Sequence, residues 1–337
     1  MREYELEVLE QYDIEVRSTR KIRGAFFCDT NEGTMLLKEA HISDRRATLL
    51  YIVQSGLEGD GFGEVDTPVF NKEGKLISVS RDSTRYLLKK WFYGRECDIK
   101  RGQEILAAAE NLARLHKKLQ WQEVCSLDEG ARVRPAEGRQ LQEELKRHNR
   151  ELKKVRTYMR NKVSKGEFEF LFLKHFDRMY CLAEDVLTRL GKSGYDSLYE
   201  ETLAENKMVH GDYNYHNVLF GNGGRIVTTN FEHFRIDVQA QDLYYFLRKI
   251  MEKHQWDEEL GRAMLRAYHK VRPLDEREME YIAICLAYPE KFWKTANTYY
   301  HSNKAWVPEK NVEKLQTAII QTEQKLRFIE NIFTFNL

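Results

Sequence analysis

Long apolar runs are missing from this sequence. No stretch approaches the about 18 uninterrupted apolar residues that a membrane-crossing helix needs, so no span is expected. The opening MREYELEVLEQYDIEV mixes charge with apolar side chains from the start. It has no apolar core behind a basic end, so no signal peptide is expected. Cysteine is scarce: five residues, at 28, 97, 125, 181 and 285, odd in number and without a CxxC pair. That speaks against a zinc site and a disulfide framework, and for reduced thiols in a cytosolic compartment. An excess of either charge is missing too, since 54 Lys and Arg face 53 Asp and Glu for a net charge of +1. A dedicated nucleic-acid binder is therefore not expected, although a local basic patch is not excluded. Proline is rare at five, and repeats and low-complexity tracts are absent, which suits a mostly helical chain.

What is there is ample for a folded interior. The 337 residues suggest two domains or one large two-part unit. Hydrophobic residues at 42% and charged residues at 32% are a globular mixture. The first ninety residues differ from the rest. Short strand-like segments at 15–22, 25–28, 34–38, 76–79 and 85–88 are broken by turns such as Asn31-Glu32-Gly33 and Lys72-Glu73-Gly74. Between them, Ser43 is placed to cap a helix over 44–55. From Trp91 onward helical spacing takes over, at 104–119, 140–163, 168–190, 242–253, 258–271, 275–286 and 311–333. The division expected is 1–90, β-rich and nucleotide-binding, and 91–337, helical.

One strand signal interrupts the helical part. VLFGNGGRIVTTNF holds two apolar runs joined by Gly221-Asn222-Gly223-Gly224, a β-hairpin pattern. The loop before it reads Met208-Val209-His210-Gly211-Asp212-Tyr213-Asn214-Tyr215-His216-Asn217. An Asp and an Asn five residues apart, on a loop that runs into a strand, suit phosphoryl transfer. There the protein positions a hydroxyl nucleophile and neutralises phosphate charge through Mg²⁺. The Asp would accept the hydroxyl proton, and the Asn amide oxygen is a hard ligand for Mg²⁺. A second magnesium-binding carboxylate is then expected at the far end of the hairpin.

His210-Gly211-Asp212 followed by Asn217 resembles the catalytic loop of the aminoglycoside phosphotransferase and choline kinase families. That resemblance implies an α+β, bilobal protein-kinase-like fold, with a small antiparallel-sheet N-lobe and a large, mostly helical C-lobe. A wider resemblance, to the spore-coat CotS family, rests on Trp91-Phe92-Tyr93-Gly94-Arg95, on Asn111-Leu112-Ala113-Arg114-Leu115-His116 and on HGDYNYHNVL. It also rests on Asp242-Leu243-Tyr244-Tyr245-Phe246-Leu247-Arg248-Lys249 and on LAYPEKFWKTANTYYHSNKAW. It implies a role in the endospore coat or in its assembly in the mother-cell cytoplasm. A small-molecule or coat-protein acceptor and coat-protein partners would follow.

Carried onto this chain, the resemblance makes Asp212 the catalytic base and Asn217 a metal ligand. His210 would brace the loop, Asn214 would lie near the phosphates, and Asp242 would start a helix while bonding the loop. Lys38 is placed on the strand expected to supply the phosphate-binding lysine, with an ordinary surface lysine as the other reading. The connector 86–92 would offer backbone groups at Leu88 and Lys90 to an adenine. Trp91 and Phe92 suit either that connector or the core.

The chain then departs from the pattern. At the hairpin exit the family reads roughly Ile-Asp-Phe-Asp, and this chain reads Thr229-Asn230-Phe231-Glu232. Asn230 takes the place of the principal magnesium carboxylate, and Glu232 is the candidate replacement ligand. The helix after Lys38 lacks the expected Glu; Asp44, Glu39 and Glu58 are the candidates to stand in. The loop 20–26 has a single glycine where a phosphate-cradling loop has more. ATP and Mg²⁺ are the cofactors expected if the chain is active. A non-catalytic pseudokinase scaffold and a nucleotide-binding regulator stay open beside the phosphotransferase. Residues 146–165 hold nine Lys and Arg with one acid, Glu151: a polyanion, membrane-surface or acidic-partner face, or simply a solvated one.

Overall fold

The computed structural model describes residues 4–22, 24–121, 134–302 and 309–333; Arg23, Cys125 and Trp306 lie outside them. Alternating side chains and tight turns build the first sheet. β1 (Val16–Ile22) turns into β2 (Ala25–Thr30), with Ile22 opposite Ala25 and Gly24 at φ +84°. β3 (Gly33–Glu39) follows. Helix α1 (Asp44–Gly59) starts at Ser43, whose hydroxyl accepts from the Arg46 N–H at 3.2 Å, as expected of a cap. After β4 (Glu64–Val65) come β5 (Ile77–Val79) and β6 (Arg85–Lys90). The antiparallel order is β1-β2-β3-β6-β5.

The sheet's two faces do different work. One face packs Phe26, Cys28, Met35, Leu37, Tyr86 and Leu88 against Val8, Leu9 and Tyr12. The pleat sends their neighbours the other way. There Leu36 sits opposite Lys89, and Lys38 opposite Leu87. Two lysines on a largely apolar face are the first sign of a site.

β7 (Arg95–Glu96) leads into α2 (Gly102–Lys118). The predicted hairpin forms as β9 (Val218–Phe220) and β10 (Ile226–Thr228), preceded by β8 (Met208–Val209) and followed by β11 (Arg235–Ile236). Gly223 and Gly224 take φ +72° and +78° in its turn. The hairpin is not isolated. It is the centre of a four-stranded sheet, β4-β10-β9-β7, in which β4 runs parallel to β10. β8 and β11 pair separately.

Backbone contacts divide the chain into two groups. The elements above fall in the first, made of Met1–Glu137, Glu205–Asp242 and Lys270–Arg272. The second, Gly138–Ala204, Leu243–His269 and Pro273–Leu337, is helical. It contains α3 (Leu141–Asn161), α4 (Glu167–Leu190) and α5 (Tyr195–Ala204), most of α6 (Ala240–Met251), then α7 (Glu258–Val271), α8 (Glu276–Ala287), α9 (Glu290–Tyr300) and α10 (Glu309–Phe333). Its core joins Leu152, Val155 and Met159 of α3 to Phe168, Phe172 and Phe176 of α4 and to Phe292 and Tyr299 of α9. Each such side chain contributes about 1.5–3 kcal/mol by burial. The aromatic stretch near the C-terminus is therefore largely interior, with Tyr288 buried as well. On α3 the basic residues divide: Arg147 pairs with Glu151 at 2.8 Å and Arg156 with Asp177 at 2.7 Å, while Arg150, Lys154 and Arg160 are exposed.

Candidate functional site

The loop 210–217 is braced from below by a buried carboxylate. Asp242, in the first turn of α6, accepts from the His210 N–H at 2.6 Å and the Gly211 N–H at 2.9 Å, and lies 3.1 Å from His116 Nε2. Burial alone would raise this carboxyl. The hydrogen bonds and the imidazoles outweigh burial and hold it below its ordinary value. Asp242 thus bonds the loop as expected, though from inside α6 rather than as its cap. His210 is fully buried, 3.0 Å from the Thr229 carbonyl through Nε2 and 3.2 Å from the Asp212 N–H through Nδ1. It is a brace, without access to acid–base work. Gly211 sits at φ +82°, and a Cβ there would lie 2.2 Å from the His233 carbonyl oxygen. Only glycine fits.

The brace presents Asp212. One carboxylate oxygen accepts from Asn214 Nδ2 at 3.0 Å and the other from Asn217 Nδ2 at 3.0 Å. Asn214 therefore orients Asp212. The second oxygen-bearing end of Asn217 is engaged as well, because its Oδ1 accepts from Asn230 Nδ2 at 2.8 Å. Asn230 takes φ +63°, a left-handed conformation that Asn tolerates better than most side chains. Its N–H donates to Asp66 Oδ2 at 2.9 Å.

Beyond Asn230 the charges close on one another. Glu232 Oε1 lies 2.6 Å from Lys89 Nζ and 3.6 Å from Lys38 Nζ. Lys89, wholly buried, also reaches Asp66 Oδ2 at 3.0 Å. Burial would raise Glu232, yet Lys89 and then Lys38 pull its carboxyl down to about 2. Burial likewise disfavours the Lys89 ammonium, and the two carboxylates more than restore it, raising its pKa. Burial pushes Asp66 up, with Lys89 pulling against it and Glu232 adding to it. Arg46 of α1 donates to the Glu232 carbonyl at 3.1 Å and stacks 3.7 Å over the Phe234 ring. Burial, and then the charge of Arg235, lowers its guanidinium to about 10.

Lys38, Arg46, Lys89, Asp212, Asn230 and Glu232 all line one cavity of about 470 Å³. The structure thus brings Lys38, Asp212, Asn230 and Glu232 to one cavity, with Asn217 bonded to two of them. Leu88 and Lys90 are not in its lining. The Leu88 carbonyl accepts from the Val69 N–H and the Lys90 N–H donates to the Thr67 carbonyl, both at 2.9 Å, so both groups are spent on a ladder. The Leu88 side chain lies in the opposite core, and the Lys90 ammonium pairs with Glu58 at 2.9 Å. Asp44 pairs with Arg85 at 3.1 Å, so Lys38's ion partner comes from the hairpin exit, not from α1. Trp91 packs edge-on against Phe27, with centroids 5.8 Å apart.

Asp66 and Lys89 are the residues that sequence reasoning missed. Register was the only available signal: on β6, Lys89 shares a face with Leu87, the residue opposite Lys38.

The family model described as "Spore coat putative kinase YutH" matches residues 5–332. The chain belongs to that family. Spore coat protein S of Bacillus subtilis (strain 168) is 25% identical over 326 residues, covering 95% of this chain and 89% of that one. Among solved structures, an aminoglycoside phosphotransferase from Alicyclobacillus acidocaldarius superposes with a TM-score of 0.82 at 18% identity, over 98% of this chain and 95% of that chain. Spectinomycin phosphotransferase bound to AMP gives 0.62 at 12% identity, with 98% of both chains covered. An amicoumacin kinase complexed with AMP-PNP, Ca²⁺ and Ami gives 0.57 at 12%, over 98% of this chain and 92% of that one. The fold is α+β and protein-kinase-like, with a small antiparallel sheet towards the N-terminus and a mostly helical remainder. No helix among the described residues is long and apolar enough to cross a membrane.

Proposed function

We propose that this chain is a non-catalytic component of the spore coat, or of its assembly, that uses the kinase fold as a scaffold. Family membership and the likeness to Spore coat protein S support the setting: the mother-cell cytoplasm during assembly, then the coat, with coat proteins as partners. The reading against catalysis rests on one observation. The two amides expected to face a metal are bonded to each other at 2.8 Å, and the replacement carboxylate, Glu232, is held by Lys89 at 2.6 Å.

Mg²⁺ therefore has little to hold it. Asp212 lines this cavity and accepts from Asn217, and no lysine pairs with it among the described residues. An adenine also loses the two connector groups expected to meet it, at Leu88 and Lys90. The lobe division at 90 and 91 belongs to this reading, with the sheet as a structural rather than a nucleotide-binding part.

A second reading keeps ATP, Mg²⁺ and transfer to a hydroxyl of a small molecule or coat protein. It is favoured by Asp212, oriented by two amides and facing the same cavity as Lys38. Thermal melting with millimolar ATP, with and without Mg²⁺, separates the two, because a ligand of the folded state must raise the midpoint. We expect no shift and no release of phosphate. A magnesium-dependent rise with phosphate release that Asp212→Ala abolishes would establish the phosphotransferase.

A further inference from the structure

Lys89 is a whole positive charge inside the protein. Its side chain has no solvent exposure, and a buried ammonium is tolerated only when paired. Its partners, Asp66 Oδ2 at 3.0 Å and Glu232 Oε1 at 2.6 Å, come from β4's exit and the hairpin's exit. Two carboxylates converging on one cation, beside two amide side chains, are also the oxygen-rich surroundings a divalent ion takes. Gln54 of α1 adds a further observation. It is fully buried and donates through Nε2 to Asp66 Oδ1 at 2.6 Å, while its Oε1 has no hydrogen-bond partner. Turning that amide over would bring its oxygen against the Asp66 carboxylate, a repulsive contact unless a cation sits between them. Asp66 and Glu232 therefore form an oxygen pair whose positive charge is internal, with the Gln54 amide and the Asn230 backbone N–H donating to Asp66.

We infer that Lys89 is the resident cation of this pocket: its ammonium holds the place between Asp66 and Glu232, and so excludes a divalent metal whichever residue stands at 230. This rests on the non-catalytic reading and gives it a different cause. On a reading by motif alone, Asn230 is the defect. On the geometry, Asn230→Asp would add a carboxylate to a cluster already neutralised from within, and Lys89 would still have to leave.

The test compares the wild type, Asn230→Asp, Lys89→Met and the Lys89→Met/Asn230→Asp double variant. The probe is Mn²⁺ alone, followed by titration calorimetry and by thermal midpoints in Mn²⁺ against EDTA. With Lys89 present, Mn²⁺ should move neither midpoint. Without Lys89, both variants should melt early in EDTA and recover by about 5 °C or more in saturating Mn²⁺, a rescue that Glu232→Gln removes. If the Lys89 variants do not fold, the other two still decide. Asn230→Asp blind to Mn²⁺ upholds the inference. Asn230→Asp that binds Mn²⁺ with Lys89 in place overturns it, while leaving the non-catalytic reading of the wild type standing. Wild-type binding of Mn²⁺ that Glu232→Gln abolishes overturns it as well, as does a folded Lys89→Met that ignores the metal. Phosphate transfer by the wild type would instead remove the non-catalytic reading itself, and is measured separately.

Discussion

The two ends of the hairpin face one cavity and are built in opposite ways. At the leading end, Asp242, His116 and His210 lie buried beneath the loop, and their bonds tie the backbone of 210–212 to α6, to His116 through Asp242 and to the Thr229 carbonyl. The residue they present, Asp212, lines the cavity and accepts from the amides of Asn214 and Asn217. At the trailing end the brace and the presented group are the same atoms. Glu232 is both the candidate ligand and the partner that makes a buried Lys89 tolerable. A loop can therefore be held rigidly from below while the opposite end of the same ribbon is given over to structure. A sequence motif reports the frame and not the second condition.

If the leading end is the rigid one, its weakest tolerance is at Gly211. A side chain there meets a left-handed φ of +82° and a carbonyl oxygen 2.2 Å away. Gly211→Ala should cost about 4 kcal/mol, at the upper end of single substitutions. In a protein of this size that lowers the thermal midpoint by roughly 6 °C. A loss below about 1 kcal/mol would mean that the loop slides off His233 at little expense, and the contrast in rigidity would fail.

The trailing end should instead betray itself by titration. The Glu232 carboxyl is held at about 2 in the folded protein against an ordinary 4.5. A depressed carboxyl contributes stability that is fully present above its unfolded value. That stability drains away as pH falls from about 4.5 towards about 2, and for this shift it amounts to about 3 kcal/mol. Asp242, also depressed, loses its share in the acid range below 3.8. The difference between wild type and Glu232→Gln isolates the first contribution. Denaturation across pH 2–6 should give curves that lie apart at pH 6 and converge in acid. Parallel curves would show that Glu232 gains nothing from its lysines.

The contrast between the ends also explains what could be read from the sequence. The first sheet was legible because its short strand-like segments are separated by turns that carry Gly, and the hairpin because Gly221–Gly224 punctuates two apolar runs. The loop was legible because its residue types are few and closely spaced. The second sheet was not, since β4 and β7 have two residues each and carry no period. Asp66 lies in a stretch without periodicity. Lys89 and Lys90 are adjacent lysines on a strand apolar on both sides, and only the register with β3 tells which of them turns inward. The helix after Lys38 is the expected source of its partner, but that partner arrives from Glu232, far along the chain, by a pairing no local pattern encodes.

The smallest expected effect is the sharpest check on the ion cluster, because it concerns the same carboxylate. Glu232 has two lysines, Lys89 at 2.6 Å without exposure and Lys38 at 3.6 Å with 44% of its side chain exposed. Solvent screens the longer contact, and holding a flexible side chain in place offsets part of what is left, so such pairs contribute about 0.5 kcal/mol. Removing the inner lysine leaves the buried Asp66 without its lysine and Glu232 with the exposed Lys38 alone, a loss of about 3–5 kcal/mol for a broken buried pair. Lys38→Met should therefore move the thermal midpoint by less than about 1 °C, within the spread of ordinary surface changes. If Lys38→Met melts the protein as far as Glu232→Gln does, the positive charge that Glu232 needs is shared across both lysines. The trailing end would then stay open to the cavity, and Lys89 could not be singled out as its cation.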